Sequence, residues 1–300
     1  MKILTGFEDG IPQFRDPTSK ATVKQLLSHT SGTASLYGNT SLIKYIEALK
    51  KMDPEMVKKY PTVNEILVED PGKKFIYGKG TDLLGYIAEE IIDKPLDDIL
   101  EERLFKPIGM EQTKRIVAPE DEAVRAKVHG PSSQGLPVIG FMQISQKEGK
   151  RELPGAGGLS STMNSYSLLL ATLLNGGVSP KTGNRILKES TIDKYLFTPQ
   201  LDPHQQYEMF PAAAPEYNLS PDLMPGTPKN FSAGFLLNLE DVPNGRKAFS
   251  GGWAGLANTY YFIDRKSGVA LLITTQILPF GDPEVIKMLE NFELAVYKSL

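Results

Sequence analysis

Apolar positions spaced three and four residues apart recur through the first two thirds of the chain, and alternation takes over toward the C-terminus. Residues 21–29 predict a short amphipathic helix with Val23, Leu26 and Leu27 on one side, stopped by Thr30-Ser31-Gly32. Residues 40–51 repeat the pattern with Leu42, Ile43, Ile46 and Leu49, and residues 61–70 predict a third short helix before a Pro71-Gly72 turn. In residues 82–92, Leu83, Leu84, Ile87 and Ile91 share one helical face, which predicts that this face is buried. Pro95 then opens a helix over 96–105, and Lys106-Pro107-Ile108-Gly109-Met110 closes it. Residues 1–20 are polar and turn-rich and predict no regular element.

From 111 to 158 the pattern weakens into short strands and loops, as in an inserted lobe. An apolar helix follows over 165–175, ended by Gly176-Gly177. Residues 196–230 form a long proline-rich loop of the kind that often lies over a site and can equally be a disordered connection. Strands are predicted over 231–239, 257–264 and 269–278, before a helix over 283–300 with Asp282 as N-cap and Val285, Leu289, Phe292 and Val296 as its core stripe. Consecutive strands joined by short turns make an antiparallel meander, and a terminal amphipathic helix can cover one face. The expectation is an α/β fold in one domain over 1–300. A mainly helical or inserted lobe occupies 21–230, and sheet strands with the C-terminal helix occupy 231–300.

Composition narrows the function. Three hundred residues, 40% of them hydrophobic, suffice for a substantial core. A net charge of −3 and a pI near 5.8 leave no electrostatic footprint for nucleic acid. No apolar run is long enough to span a membrane, and the first ten residues lack a secretory apolar region, so a soluble, cytoplasmic protein is expected. The absence of cysteine removes disulfides, thiolate nucleophiles and Cys-ligated metals. His29, His129 and His204 show no metal-ligand spacing, so neither a metal nor a cofactor is expected. No Gly-x-Ser-x-Gly elbow follows a strand, which argues against an α/β-hydrolase.

The most informative stretch is Phe249-Ser250-Gly251-Gly252-Trp253-Ala254-Gly255-Leu256, read as a glycine-dense turn feeding a β-run. Such a backbone can approach a ligand closely and point an N–H at a carbonyl oxygen. Together with Leu26-Leu27-Ser28-His29-Thr30-Ser31-Gly32 and Pro71-Gly72-Lys73-Lys74-Phe75-Ile76-Tyr77-Gly78, it resembles the serine β-lactamase-like superfamily. That superfamily holds class C β-lactamases, family VIII carboxylesterases and fungal statin-type acyltransferases, and the likeness is greatest to the last two branches. Gly155-Ala156-Gly157-Gly158-Leu159-Ser160-Ser161 and Gln276-Ile277-Leu278-Pro279-Phe280-Gly281-Asp282-Pro283 extend it along the chain. The implied fold is β-lactamase/transpeptidase-like. The implied chemistry is acyl transfer from a small-molecule ester or acyl-thioester.

Within that resemblance Tyr77 takes the place of the general base. A free phenol titrates near pH 10 and serves at neutral pH only if cations or hydrogen bonds stabilise its anion. Lys79 could supply such a cation or simply lie in solvent, and Tyr77 itself could be only a packed aromatic. Trp253-Ala254-Gly255 matches the family's third motif, and the resemblance makes the N–H of Leu256 an oxyanion donor. Trp253 removes the cation that β-lactamases carry there and suits an apolar acyl group, unless it only packs the sheet. The decoy Lys181-Thr182-Gly183 falls in a loop. His29 reads as part of a structural segment rather than a catalyst, and the glycines of 155–158 make a poor phosphate loop. The family's nucleophilic Ser-x-x-Lys stands upstream of its His-Thr-Ser-Gly segment. Here only Ser41-Leu42-Ile43-Lys44 has the spacing, and it follows His29, so Ser41 reads as a helix N-terminal residue. The resemblance therefore implies a chain lacking two N-terminal strands and the nucleophile helix, inert as it stands. A non-catalytic binding protein or a truncated gene product is the alternative.

Overall fold

A computed structural model describes the chain except residues 37, 63–64, 116–118, 140–155, 209–218, 220 and 244. Its main sheet has five antiparallel strands in the order β4-β5-β6-β7-β8: Lys229–Phe231, Leu236–Asn238, Gly251–Gly255, Thr259–Asp264 and Val269–Ile273. Alternation along β7 sorts its side chains cleanly. Tyr260 and Phe262 join Leu271, Ile273, Val285 and Leu289 under the C-terminal helix, whereas Ile263 joins Leu237, Leu170, Leu173 and Ile192 on the other face. The sheet is thus packed on both sides, by the C-terminal helix and by the helix Met163–Leu174. These features give the expected α/β architecture of an antiparallel sheet between helices, and no strand from the N-terminal region joins this sheet among the described residues.

The helices are α1 (Val23–Leu27), α2 (Thr40–Lys50), α3 (Pro54–Val57), α4 (Gly80–Ile92), α5 (Leu96–Leu100), α6 (Lys106–Ile108), α7 (Met163–Leu174), α8 (Glu189–Thr191) and α9 (Pro283–Ser299). Thr22 caps α1 reciprocally with Gln25, and Thr162 caps α7. Asp282 caps α9 as expected, accepting from the Glu284 N–H, and Gly109 ends α6 in the left-handed region.

Several expectations are corrected. Residues 1–20 are not featureless: β1 (Lys2–Glu8) and β2 (Ile11–Arg15) form a hairpin around Asp9-Gly10, both left-handed, as a two-residue hairpin turn requires. A register shift between Leu4 and Gly6 breaks the alternation that would have revealed it. The helix expected over 61–70 is instead β3 (Ile66–Leu67), paired parallel to β1, where a long-range partner overrides local spacing. The run 231–239 is two strands around a turn in which Ser232 N–H donates to the Phe235 carbonyl. Gly251–Gly255 is itself a strand rather than a turn. Its glycines are forced by neighbours, since a Cβ at Gly252 would lie 2.4 Å from the Tyr261 carbonyl oxygen.

The helical faces also differ. The apolar face of α4 expected to be buried is so only in part: Leu83 and Leu84 are half-buried, Ile87 and Ile91 are 38% and 78% exposed, and the fully buried positions are Gly80, Gly85 and Glu89. In α9, Val285 and Leu289 are core residues, but Phe292 is exposed and Glu293 is buried. Glu293 receives two hydrogen bonds from Arg246, at 2.9 and 2.7 Å, and the guanidinium lies 4.0 Å from the centroid of Phe262. This bidentate pair rivets α9 to the sheet. Removing one member of a buried pair strands the other charge, a loss of about 3–5 kcal/mol. Glu293→Ala should therefore lower unfolding free energy in urea by that amount, whereas Phe292→Ala beside it should change it by less than about 1 kcal/mol.

Candidate functional site

The segment that follows α1 builds the site. Ser28 Oγ donates to the Lys24 carbonyl, and its hydroxyl pairs with that of Thr30. The Ser31 and Thr33 hydroxyls pair in the same way, so this run of buried polar side chains is satisfied internally. His29 sits in the left-handed region at φ 54°, its carbonyl accepting from Ile76 N–H at 2.7 Å and its Nδ1 from Gly78 N–H at 3.3 Å. An Nδ1 that accepts leaves the proton on Nε2. Ser35 N–H donates to the Tyr77 carbonyl, which completes the grip on residues 76–78. The fit leaves no room: a Cβ at Gly78 would lie 2.3 Å from the Thr33 carbonyl oxygen, and one at Gly80 2.1 Å from that of Leu26.

Tyr77 emerges from this grip just ahead of α4 and meets the central strand. Its ring centroid lies 4.6 Å from that of His29 and 5.2 Å from that of Trp253 on β6. Trp253 in turn packs edge-on against Phe231 of β4 at 5.4 Å. Tyr77 and Trp253 are therefore brought together from opposite halves of the chain. Gly255 ends β6 and Leu256 opens the following turn, with its side chain packed toward the core under α9. That turn is fixed by fully buried Asn258, which donates to the Ile277 and Pro279 carbonyls and accepts from Gly281 N–H and the Tyr260 hydroxyl.

The electrostatics of Tyr77 run against a free-standing base. Burial raises its phenol above the ordinary value, a hydrogen bond from Trp253 offsets part of this, and nearby Asp82 raises it further. Lys79 is half-buried, so its ammonium is pushed down by desolvation and partly restored by Asp82. Asp82 also accepts from Ala156 N–H at 2.8 Å, which ties the glycine-rich segment to the head of α4; Gly155 lies outside the described residues.

Ser41 and Lys44 are not brought to this place. Both are exposed on α2, whose inner face packs in the separate core of Leu4, Leu42, Tyr45 and Ile66, while the N-cap role belongs to Asn39. Lys181-Thr182-Gly183 is a loop, where Lys181 binds Glu111 and the Gly109 carbonyl and Thr182 binds the Pro107 carbonyl. A residue not singled out from the sequence does reach the site. The proline-rich loop docks on the Pro71-Gly72 turn, where His204 and Gln205 both hydrogen-bond the Gly72 carbonyl, and lays Tyr207 on Phe75 at 5.0 Å. Its phenol is raised by burial, with Asp222 and Tyr77 adding to the effect. Only the length of that loop signalled such a role.

Among the described residues no group of three or more His, Asp or Glu is placed to hold a metal ion. A cleft of about 220 Å³ lined by Phe197, Phe249, Arg265 and Lys266 opens at the far end of β6 from Leu256, and no residue named above as part of the site lines it. The site itself offers a phenol, an indole and the backbone of β6, while the Ser-x-x-Lys pair Ser41 and Lys44 lies on α2.

Burial without a counter-charge pushes the His29 imidazole down to about 4 from 6.5. Because its folded value lies below its unfolded one, the folded state resists protonation, and stability falls as pH drops from about 6.5 to about 4. The loss is about 1.4 kcal/mol per pH unit, roughly 3 kcal/mol over the window. Denaturation midpoints measured across this range should fall in the native protein and flatten in His29→Asn, which tolerates the left-handed backbone.

Comparison with known proteins agrees with this architecture. The chain is 28% identical over 305 residues to monacolin J acid methylbutanoyltransferase of Aspergillus terreus, covering 99% of this chain and 72% of that protein. It is 27% identical over 311 residues to lovastatin esterase of Penicillium rubens, covering 99% of this chain and 74% of the relative. A solved variant of simvastatin synthase (LovD) from Aspergillus terreus superposes with a TM-score of 0.84 at 29% identity, over the whole of this chain and 72% of that one. EstCE1, a hydrolase with promiscuous acyltransferase activity, shares the fold at a TM-score of 0.64 and 18% identity. A family description, Beta-lactamase, matches residues 8–291, so the chain belongs to the beta-lactamase family.

Proposed function

We propose that the Tyr77–Trp253 site is the base and acyl-binding half of a serine-dependent acyl-transfer centre acting on small-molecule esters or acyl-thioesters with small to medium acyl groups. The observation that carries this reading is the contact of the Tyr77 phenol with the Trp253 indole on the central strand β6. In the reaction, a serine hydroxyl attacks the acyl carbon while Tyr77 takes its proton. The leaving alkoxide or thiolate departs with that proton, and water or an alcohol then attacks the acyl-serine in the reverse sense. The Leu256 N–H is assigned to the oxyanion formed in both steps, where a fixed donor counts most. Trp253, Phe231 and Phe75 give the acyl chain an apolar wall and leave no cation for a carboxylate, which disfavours β-lactam substrates. One relative is named a methylbutanoyltransferase of monacolin J acid and another an esterase of lovastatin, which supports acyl-ester chemistry.

The same geometry predicts that the 300 residues alone do not turn over. A protonated phenol and a Ser-x-x-Lys pair held away from it on α2 together remove most of the rate, because such groups act as a unit. The raised phenol also favours a second reading, in which Tyr77 donates a hydrogen bond to a bound acyl carbonyl and the chain binds without reacting. Hydrolysis of p-nitrophenyl butyrate by this chain should match a buffer blank. Turnover lost in both Tyr77→Phe and Ser41→Ala would instead make Ser41 the nucleophile and contradict the proposal. Binding of a butyryl thioester should change the emission of Trp253, the chain's single tryptophan.

A further inference from the structure

The cleft at the far end of β6 is a second built cavity, and it takes no part in the proposed acyl transfer. The register that pairs Gly251 with Ile263 carries the turn before β6 and the turn after β7 to the same end of the sheet, and the helical segment 192–196 brings Phe197 alongside them. Phe249 is the unusual member. It holds φ 69°, a backbone disfavoured for any residue with a Cβ, yet its ring stays 40% exposed, so core packing does not offset that strain. The turn imposes the conformation: Phe249 N–H donates to the Asn238 carbonyl at 2.7 Å, Ala248 N–H to Asp241 at 2.9 Å, and Ser250 Oγ to the Lys247 carbonyl at 2.6 Å. The second ring, Phe197, is wedged against Phe235 at 5.6 Å. A strained and exposed aromatic held rigidly at a cavity points to a ligand clamp. The charges of the cleft are equally sorted. Arg265 lies over Phe197, and its guanidinium is taken up by Glu189 and Asp193. Asp264 is 1% exposed, and its oxygens accept from the N–H groups of Lys247, Lys266 and Ser267 and from the Tyr297 hydroxyl. Asp241, beside the turn, pairs with Lys247. Lys266 differs: it is exposed, its ammonium lies 5.2 Å from the centroid of Phe249, and no carboxylate stands at ion-pair distance from it among the described residues.

We infer that this cleft is a binding site for a one-ring aromatic carboxylate, its ring against Phe197 and Phe249 and its carboxylate at the Lys266 ammonium. Volume sets the size. About 220 Å³ exceeds the ~150 Å³ of an apolar cavity that takes up benzene and falls short of the ~300 Å³ at which drug-sized pockets begin. The two phenylalanines favour a planar ring through edge and offset contacts. Lys266 favours an anion, because its charge is the one in the cleft that no acid has taken, and a carboxylate gains a charge-assisted hydrogen bond from it. A second anionic group would meet Glu189 and Asp193, which already surround Arg265, so a monoanion fits best. The cleft and Leu256 stand at opposite ends of β6, and the site holds whatever becomes of the acyl-transfer reading.

The test titrates the full, isotope-labelled chain with trans-cinnamate and reads binding from backbone amide shifts. Saturable shifts should centre on residues 248–251 and 264–267 and leave residues 255–258, at the acyl-transfer end of β6, unmoved. Cinnamyl alcohol, which keeps the ring without the charge, should bind roughly threefold or more weakly, as loss of an exposed ion pair allows. Acrylate, which keeps the carboxylate without the ring, should bind roughly tenfold or more weakly. Lys266→Met should reduce cinnamate affinity to that of the alcohol and leave the alcohol's own affinity unchanged. Phe249→Asn, which suits the left-handed backbone, should weaken acid and alcohol alike by roughly tenfold while far-UV circular dichroism stays unchanged. Absence of saturable shifts with millimolar cinnamate overturns the inference. So does equal affinity for acid and alcohol, full cinnamate affinity in either variant, or shifts centred on residues 255–258, which would place the ligand in the other site.

Discussion

The grip of residues 29–35 on residues 76–78 is the constraint on which the site depends. Three backbone N–H groups and one imidazole nitrogen close it: Ile76 to the His29 carbonyl, Gly78 to His29 Nδ1, and Ser35 to the Tyr77 carbonyl. None of these bonds is strong alone, at about 0.5–1.5 kcal/mol net. Their joint effect is positional, because each fixes a residue adjacent to Tyr77 and no side chain fits at Gly78 or Gly80. His29 can serve only as a neutral acceptor, and the desolvation that keeps it neutral comes from Phe75, Tyr77 and Phe231 packed around its ring. The aromatic cluster and the backbone clip thus stabilise one another.

From that clip the rest of the site follows by contact. Tyr77 meets Trp253, Trp253 leans on Phe231, and Phe75 carries Tyr207 from the proline-rich loop. One wall comes from the helical lobe and the other from the five-stranded sheet, which Arg246 and Glu293 hold to α9. The groups that act on Tyr77 make it a hydrogen-bond donor at neutral pH rather than a base. Burial outweighs the help of one indole N–H, and the nearby charge, Asp82, has the wrong sign. A firmly fixed Tyr77 and a raised phenol coexist because the clip is built from local and long-range backbone contacts, whereas a lowered phenol needs a cation close by.

Much of the fold was legible in the sequence because its signals are local. Asp282 announces α9, Gly176-Gly177 ends α7, and the alternation of residues 257–264 becomes β7. The motif segments around His29, Tyr77 and Trp253 were also legible, through their order along the chain. What failed depended on tertiary partners. The hairpin β1–β2 carries a register shift that hides its period, although Asp9-Gly10 was a readable turn. Ile66 and Leu67 are strand only because β1 lies beside them, and Gly251–Gly255 is a strand because Phe235, Tyr261 and Phe262 crowd it. Periodicity placed the apolar stripe of α4 correctly but could not say what faces it. Tyr207 gave no signal beyond the length of its loop, since a tyrosine in a proline-rich run has no pattern to betray its partner.

The central claim is that this chain holds Tyr77 in place yet leaves its phenol protonated at neutral pH. The most direct measurement is a titration of the Tyr77 ring by NMR in protein labelled at the tyrosine Cζ carbon, with Tyr77→Phe to assign the signal. The account predicts a Tyr77 midpoint above 10, the ordinary phenol value. A midpoint below about 8 would contradict it, because the phenolate would then be stabilised by groups already within these 300 residues.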